Sequence, residues 1–518
     1  MNGAQALIRT LIACGVDTCF MNPGTSEMHF VAALDTVPEM HSVLALFEGV
    51  ATGAADGYGR LADRPAATLL HLGPGLGNGL ANLHNARKGH TPVVNIVGDH
   101  ATYHKQYDAQ LESDIETVAR NVSSFIRWSA KTAEVGGDAA DAVAAAYGPP
   151  GQVATLVLPA DISWSDGGEV SAPKPAPSRT TASDDAIREI TGALRSGEPA
   201  ALLVGGTACR ESTLALARAI ADTTGAKLLC ETFPARIERG AGRVPVDRIA
   251  YLAEFASMQL DGLRHLVLVD AKAPVSFFAY PDKASWLAPA GCEIHTLAGP
   301  TGDARSSLSA LADALGASPA TAARQQLARP ELPDGALTAQ TVCAALGALL
   351  PEGAIVSDEG NTSGLFAAGA TAGAPPHDWL CLTGGAIGQG LPVAVGAAVA
   401  CPDRRVIALE SDGSAMYTRQ ALWTMVREGL DVTTIICNNG SYAVLNMELG
   451  RVGAEGAGPR AKAMLDIRRP DLDFVALAQG MGVTATRATT AEDFNEQLAR
   501  ALATPGPTVV EAVVPSIV

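Results

Sequence analysis

Glu410-Ser411-Asp412-Gly413-Ser414, with Asn438-Asn439-Gly440 following so that Asn439 lies 27 residues past Asp412, is the stretch that decides the fold. Ahead of it, Arg405 to Leu409 is a short apolar run with the pattern of a buried strand. Behind it, Tyr417 to Arg427 has helical periodicity, and Thr433 to Cys437 reads as a second strand ending at the Asn-Asn-Gly turn. Strand, acidic glycine turn, helix, strand and Asn-Gly turn make one βαβ unit. In a parallel sheet both turns fall at the carboxyl edge, where open α/β sheets bind ligands. A carboxylate, Asp412, and an amide oxygen, Asn439, then meet in space. Hard oxygen donors of that kind suit Mg²⁺, which usually brings phosphates with it. The backbone amides of Gly413 and Ser414, at a helix N-terminus, suit phosphate oxygens. Either piece alone is also an ordinary helix entry or turn; the pair at this spacing is far more specific.

The rest of the chain has room for this unit and two more like it. At roughly 150 residues per domain, 518 residues predict about three domains. With 47% hydrophobic and 18% charged residues the chain reads as globular. The balance of 37 basic against 54 acidic residues, −17 net, speaks against nucleic-acid binding and attachment to acidic membranes. Met1 to Ile12 reads as an amphipathic helix rather than a signal peptide, and no apolar run reaches the ~18 residues of a membrane span. Nine scattered cysteines, without a Cys-x-x-Cys pair, read as small buried hydrophobes in a reducing cytoplasm.

Residues 1–165 alternate strand and helix patterns. Strands are expected at Gly15–Phe20, Ser42–Phe47, Ala66–Leu70, Val93–Val97 and Ala154–Leu158, and a Gly/Ala-rich helix at Gly49–Leu61. A Pro/Ser/Lys-rich linker at about 166–188 precedes a second α/β segment, 189–320, with strands at Ala200–Val204, Lys227–Cys230 and Leu266–Asp270. A second linker at about 318–335 leads to the third segment, 336–518, which carries the opening motif. The expected fold is therefore three doubly wound α/β domains with mostly parallel sheets.

Glu48 stands directly after the second predicted strand, either as a helix-capping acid favoured by the dipole or as a functional carboxylate. The run Glu48-Gly-Val-Ala-Thr-Gly-Ala-Ala-Asp-Gly-Tyr58, taken with Asp412 and Asn439, resembles the thiamine-diphosphate-dependent enzymes of the acetolactate (acetohydroxyacid) synthase and benzoylformate decarboxylase group. The resemblance extends over essentially the whole chain and is greatest to the short acetolactate-synthase-like proteins. It implies a pyrimidine-binding domain, a central domain and a diphosphate-binding domain. It also implies that Glu48 contacts N1′ of the cofactor's aminopyrimidine. The Mg²⁺ ligands would be Asp412, Asn439 and the Ser441 carbonyl. The carbonyl of Gly385 would accept from the 4′-amino group, and Ile387 would wedge between the cofactor's two rings. Asn361 and Thr362, in Asp358-Glu-Gly-Asn-Thr362, would be a second diphosphate anchor beside Gly413 and Ser414. On the substrate side Thr25, in Asn22-Pro-Gly-Thr-Ser-Glu27, would bind a carboxylate, and His71 would relay protons near neutrality.

The departures fall at positions that choose substrate. Leu111 replaces the glutamine of acetolactate synthases, and Ala279 stands where benzoylformate decarboxylase has a second histidine. The stretch Asp270-Ala-Lys-Ala-Pro-Val-Ser-Phe-Phe278 lacks the arginine of the flavin-binding segment, so no tightly bound FAD is expected. His100, His104 and Lys105 line an entrance or are solvated; Met447 and Leu449 face substrate or core. The resemblance implies carboligation of 2-oxo acids or aldehydes, with 2-oxo-acid decarboxylation, lyase chemistry and a silent partner-binding paralogue as alternatives. It also implies a homodimer or tetramer with shared active sites.

Overall fold

Apolar runs of five to seven residues, buried along their whole length, pair into three mostly parallel sheets. The computed structural model describes residues 1–454 and 456–517. The first sheet holds β1 (Thr18–Asn22), β2 (His41–Leu44), β3 (Ala66–Leu70), β4 (Val93–Asp99), β5 (Ser123–Trp128) and β6 (Val153–Pro159), ordered β2-β1-β3-β4-β6-β5. All its pairings are parallel. Helices cover both faces, which is why β3, β4 and β6 read as continuous apolar runs rather than alternating ones.

The middle segment contributes β7 (Ala200–Val204), β8 (Lys227–Cys230), β9 (Ile237–Arg239), β10 (Asp247–Arg248), β11 (His265–Val269) and β12 (Glu293–Ala298). Five of these form a parallel sheet, β10-β8-β7-β11-β12. The sixth, β9, leaves it and pairs antiparallel with the edge of the third sheet. That sheet contains β13 (Ile355–Glu359), β14 (His377–Leu380), β15 (Val406–Ser411), β16 (Val432–Asn438), β17 (Thr484–Ala488) and β18 (Thr508–Val513), ordered β17-β18-β16-β15-β13-β14-β9.

Seven helices matter for the site: α1 (Glu48–Ala62), α2 (Leu72–Lys88), α3 (Asp184–Arg195), α4 (Gly390–Ala400), α5 (Asp412–Thr418), α6 (Ala421–Arg427) and α7 (Ala443–Arg451). The first and third segments meet where α1 crosses α4. A Cβ at Gly57 would lie 2.1 Å from the Val393 carbonyl oxygen, and one at Gly396 1.8 Å from that of Ala54. Only bare backbone fits on either side, so the glycine content of both helices sets how closely the two domains approach.

Several boundaries differ from the sequence reading. β15 runs through Glu410 and Ser411, and β13 through Glu359, so these acids belong to strands rather than turns. The helix expected at Tyr417–Arg427 is two helices, α5 starting at Asp412 and α6, separated around Arg419-Gln420. β5, an edge strand with mixed burial, lacked the apolar signal of its neighbours. All nine cysteines are free thiols. Among the described residues no helix is long and apolar enough to cross a membrane.

Candidate active site

Asp412 ties together the two turns that the sequence places at one sheet edge. β15 and β16 are parallel neighbours, and their carboxyl ends carry Asp412 and Asn439. Asp412 Oδ2 accepts the amides of Asn439 at 2.9 Å and Gly440 at 2.6 Å, and Oδ1 accepts that of Gly413 at 2.8 Å. Burial raises the Asp412 carboxyl above the ordinary aspartate range, and the amides oppose that shift. Asn439 Oδ1 accepts the amide of Ser441 at 2.9 Å. The donor set is a carboxylate, an amide oxygen and the nearby Ser441 carbonyl. Its chemistry, oxygen throughout, fits Mg²⁺.

The phosphate-side residues are less uniform than the sequence suggests. The Gly413 amide already donates to Asp412. The Ser414 hydroxyl turns inward, 3.1 Å from Glu410 Oε2 and 3.1 Å from the Ser411 carbonyl. Asn361 is exposed with φ 45° and donates to the Glu359 carbonyl at 3.1 Å; Thr362 is half-buried beside it. Asp358, from the same run, points into the protein and accepts the Trp379 indole N–H at 2.9 Å.

Behind Asp412 lies a buried acid pair that sequence reading passed over. Glu359 and Glu410 are register partners on β13 and β15, 2% and 0% exposed. Glu359 accepts the amides of Gly388 at 2.8 Å and Gly390 at 2.7 Å. Glu410 has the Ser414 hydroxyl on Oε2 and no hydrogen-bond partner on Oε1. Burial drives both carboxyls up, Glu359 to about 7, and the charge of Glu359 drives Glu410 further still. Glu359 is therefore the carboxylate and Glu410 the acid, its proton on the otherwise orphaned oxygen.

Those two Glu359 hydrogen bonds fix one end of the loop at 383–390, which carries Gly385 and Ile387. The first segment fixes the rest. Asn82 donates to the Gly388 carbonyl at 3.1 Å, Asn85 to that of Ala386 at 2.8 Å, and His84 Nε2 lies 3.2 Å from that of Gly384. Gly385 has φ 74°, and a Cβ there would lie 2.5 Å from Phe277 Cζ, so both conformation and space demand glycine. Ile387 is half-buried. Arg60, buried on α1, closes the arrangement. It pairs with Asp56 at 2.5 Å and donates to the Cys381 carbonyl at 2.8 Å, Thr383 Oγ1 at 3.0 Å and Gln389 Oε1 at 3.2 Å. The Asp56/Arg60 spacing on an otherwise Gly/Ala-rich helix was the available signal for this residue.

At the carboxyl edge of the first sheet, Glu48 opens α1 and accepts the Asn78 amide at 3.0 Å. A Cβ at Gly75 would meet Glu48 Oε1 at 3.0 Å and His71 Cβ at 3.4 Å, so both side chains flank one point. His71 Nδ1 lies 2.8 Å from Glu27 Oε2, which also accepts the Gly24 amide at 2.7 Å. The bond to Glu27, then the charges of Glu27 and Glu48, raise His71 above the ordinary histidine range against the opposing effect of burial. Glu27, 2% exposed, is the main residue here whose role the sequence did not reveal. Thr25 is exposed at the start of the same turn.

The remaining candidates divide. Lys105 is held by Asp99 at 2.9 Å and Glu112 at 2.6 Å, and the His100 and His104 rings lie 5.2 Å apart beside it. Leu111 and Ala279 are exposed, and Ala279 follows Phe277, the ring against Gly385. Met447 and Leu449 are half-buried on α7, which is tied to the middle segment through Tyr251–Glu448 at 3.3 Å and Arg451–Glu254 at 3.1 Å.

Comparison with known proteins agrees with this geometry. Residues 1–119 match the family described as thiamine pyrophosphate enzyme, N-terminal TPP binding domain, and residues 358–512 match the corresponding C-terminal TPP binding domain. A Mycobacterium tuberculosis protein provisionally named acetolactate synthase large subunit IlvX is 60% identical over 520 residues, covering 100% of both chains. Benzoylformate decarboxylase of Pseudomonas aeruginosa is 30% identical, covering 96% of each. Among solved structures, the thiamine diphosphate-dependent 4-hydroxybenzoylformate decarboxylase of Rhodococcus jostii superposes with a TM-score of 0.86 at 25% identity, over 99% of each chain. With both thiamine pyrophosphate-binding family models matched and relatives at this identity over the whole chain, the chain belongs to the thiamine-diphosphate-dependent enzymes related to acetolactate synthase and benzoylformate decarboxylase.

Proposed function

We propose that this enzyme is a thiamine-diphosphate- and Mg²⁺-dependent carboligase of the acetolactate synthase type acting on 2-oxo acids. The observation that carries the reading is the 60% identity, over 100% of both chains, to a relative provisionally named for that activity. When bound, thiamine diphosphate supplies a carbon nucleophile and an electron sink for cleavage beside a 2-oxo carbonyl. In this reading Asp412, Asn439 and the Ser441 carbonyl hold Mg²⁺. Asn361, Thr362 and the backbone at Gly413 and Ser414 approach the diphosphate. The Gly385 carbonyl would accept a hydrogen bond from the 4′-amino group, and Ile387 would support the bound cofactor from below its rings. Glu48, oriented by Asn78, holds and returns a proton at N1′. His71, whose protonated form Glu27 favours, faces the substrate as an acid, and Thr25 receives the substrate carboxylate.

What the strand ends near the proposed site expose supports an oligomer. Leu46, Leu365, Phe366, Tyr417 and Leu445 follow the carboxyl ends of β2, β13, β15 and β16, and each is at least 40% exposed. Large apolar side chains grouped this way favour a second copy covering them, in a homodimer or tetramer with shared sites.

One observation favours a second reading, simple 2-oxo-acid decarboxylation. A protonated His71 beside Glu48 is placed to deliver a proton where carboligation needs a second carbonyl. Incubation with thiamine diphosphate, Mg²⁺ and either pyruvate or benzoylformate, with products identified by NMR, separates the two. Acetolactate is expected from pyruvate. Aldehyde alone would replace the first reading by the second, and no turnover of either acid by cofactor-loaded protein would refute both.

A further inference from the structure

The sheet of the middle segment carries a cluster that the catalytic reading does not use. β11 and β12 pair so that His265 stands beside Glu293, and His295, two residues on, points to the same face. His265 Nδ1 and His295 Nε2 are 3.2 Å apart. Glu293 Oε2 lies 3.6 Å from the first and 3.9 Å from the second. The outer nitrogens are both held by carboxylates: His265 Nε2 by Glu198 at 3.1 Å, and His295 Nδ1 by Glu189 of α3 at 2.8 Å. The two ring side chains are 9% and 7% exposed.

Carboxylates only accept, so each outer nitrogen carries the ring's hydrogen. A neutral imidazole has one N–H, and the two facing nitrogens are therefore bare lone pairs. Two lone pairs and a carboxylate oxygen converge on one point with no donor among them. A second ring proton donated across the 3.2 Å gap, or a cation bound between the three atoms, removes the repulsion. The triangle of 3.2, 3.6 and 3.9 Å is close to the face of a tetrahedron around Zn²⁺, whose edges are roughly 3.3–3.5 Å for the usual Zn–N and Zn–O bonds. Carboxylates that fix the tautomer and orientation of ligating histidines are the usual support of such sites.

We propose that His265, His295 and Glu293 form a site for a zinc-class divalent cation, with Glu198 and Glu189 orienting the rings and water in the fourth position. His265 and Glu293 open their strands, so the site is at the amino end of the sheet, away from the ligand edge. It joins the edge strand β12 to β11 and, through Glu189, to α3. Its role is to stabilise the middle segment rather than to act in turnover.

The test uses the full chain with thiamine diphosphate and Mg²⁺ in excess. Zn²⁺ binding is followed by calorimetry, and Co²⁺ binding by its visible absorption. One equivalent per chain is expected, with a tetrahedral Co²⁺ spectrum and a rise in Tm. His265→Gln with His295→Gln should abolish the binding step. Glu189→Gln with Glu198→Gln, on exposed side chains, should keep the fold and weaken affinity by about 10–100-fold. Equal Zn²⁺ stoichiometry and affinity in wild type and the double-histidine variant would overturn the proposal. So would a folded wild type that takes up no Zn²⁺ beyond the Mg²⁺ site.

Discussion

Glu27 Oε2, 2.8 Å from His71 Nδ1, favours the protonated form of the ring by accepting its N–H. The raised value means that this pairing contributes stability in full below the ordinary histidine range and loses it as pH climbs through the folded value. If the imidazolium is the working form, Glu27→Gln should bring the alkaline limb of kcat/KM down by about one pH unit. A pH–rate profile of the two proteins measures this. An unshifted limb would separate His71 from the reaction. Asp412, Asn439 and Glu48 were legible because short stretches encode them: a carboxylate or amide placed directly at the end of a strand. Glu27, Phe277 and Arg60 were not, because their meaning lies in distant partners. Glu27 meets His71 across 44 positions, and Arg60 meets Cys381 across 321.

Strands that run one or two residues further than their apolar patterns put Glu359 and Glu410 inside the third sheet. An acid whose folded value is raised is neutral in the folded chain while already ionised in the unfolded one, so stability falls with rising pH across that interval. For Glu410, the protonated member of the pair, the interval starts at the ordinary glutamate value and extends well above it. Glu410→Gln supplies an amide donor to the Glu359 carboxylate and removes the titrating partner. Its stability relative to wild type should therefore improve between pH 5 and 7, by at most about 1.4 kcal/mol per pH unit. Urea unfolding of the apoprotein across that range measures the difference; parallel curves would contradict the shared proton. The helix α1 carries a second test. Arg60→Met leaves Asp56 charged and buried, and should cost about 3–5 kcal/mol, while adding Asp56→Leu should restore much of it. Chemical denaturation of the single and double variants decides. If the 383–390 loop holds the cofactor as proposed, the single variant should also bind thiamine diphosphate more weakly, because Thr383 and Gln389, near its two ends, lose their tie.

On the scale of the molecule, three sheets and their order follow from buried apolar runs separated by turn residues, and most central strands were legible within one or two positions. The exceptions have a common cause. β5 lies at an edge with mixed burial, and β9 is three residues that leave the middle segment to pair with another sheet. Neither carries a local pattern, since neighbours far along the chain create both. The exposed apolar residues on the catalytic edges predict shared active sites. Mixing and reassembling Glu48→Gln with Asp412→Asn protein should then recover about a quarter of wild-type activity, since half the random dimers hold one intact site of two. No recovery, with exchange of subunits verified, would place each site within a single chain.

The measurement that reaches the centre of the account is CO₂ release from pyruvate by wild type and Glu48→Gln, each with its thiamine diphosphate affinity measured alongside. The account predicts that wild type releases CO₂ and forms acetolactate. The variant should bind the cofactor with similar affinity and turn over about 10²–10⁴-fold more slowly. A Glu48→Gln enzyme working at the wild-type rate, or a cofactor-loaded wild type that leaves pyruvate untouched, would contradict it.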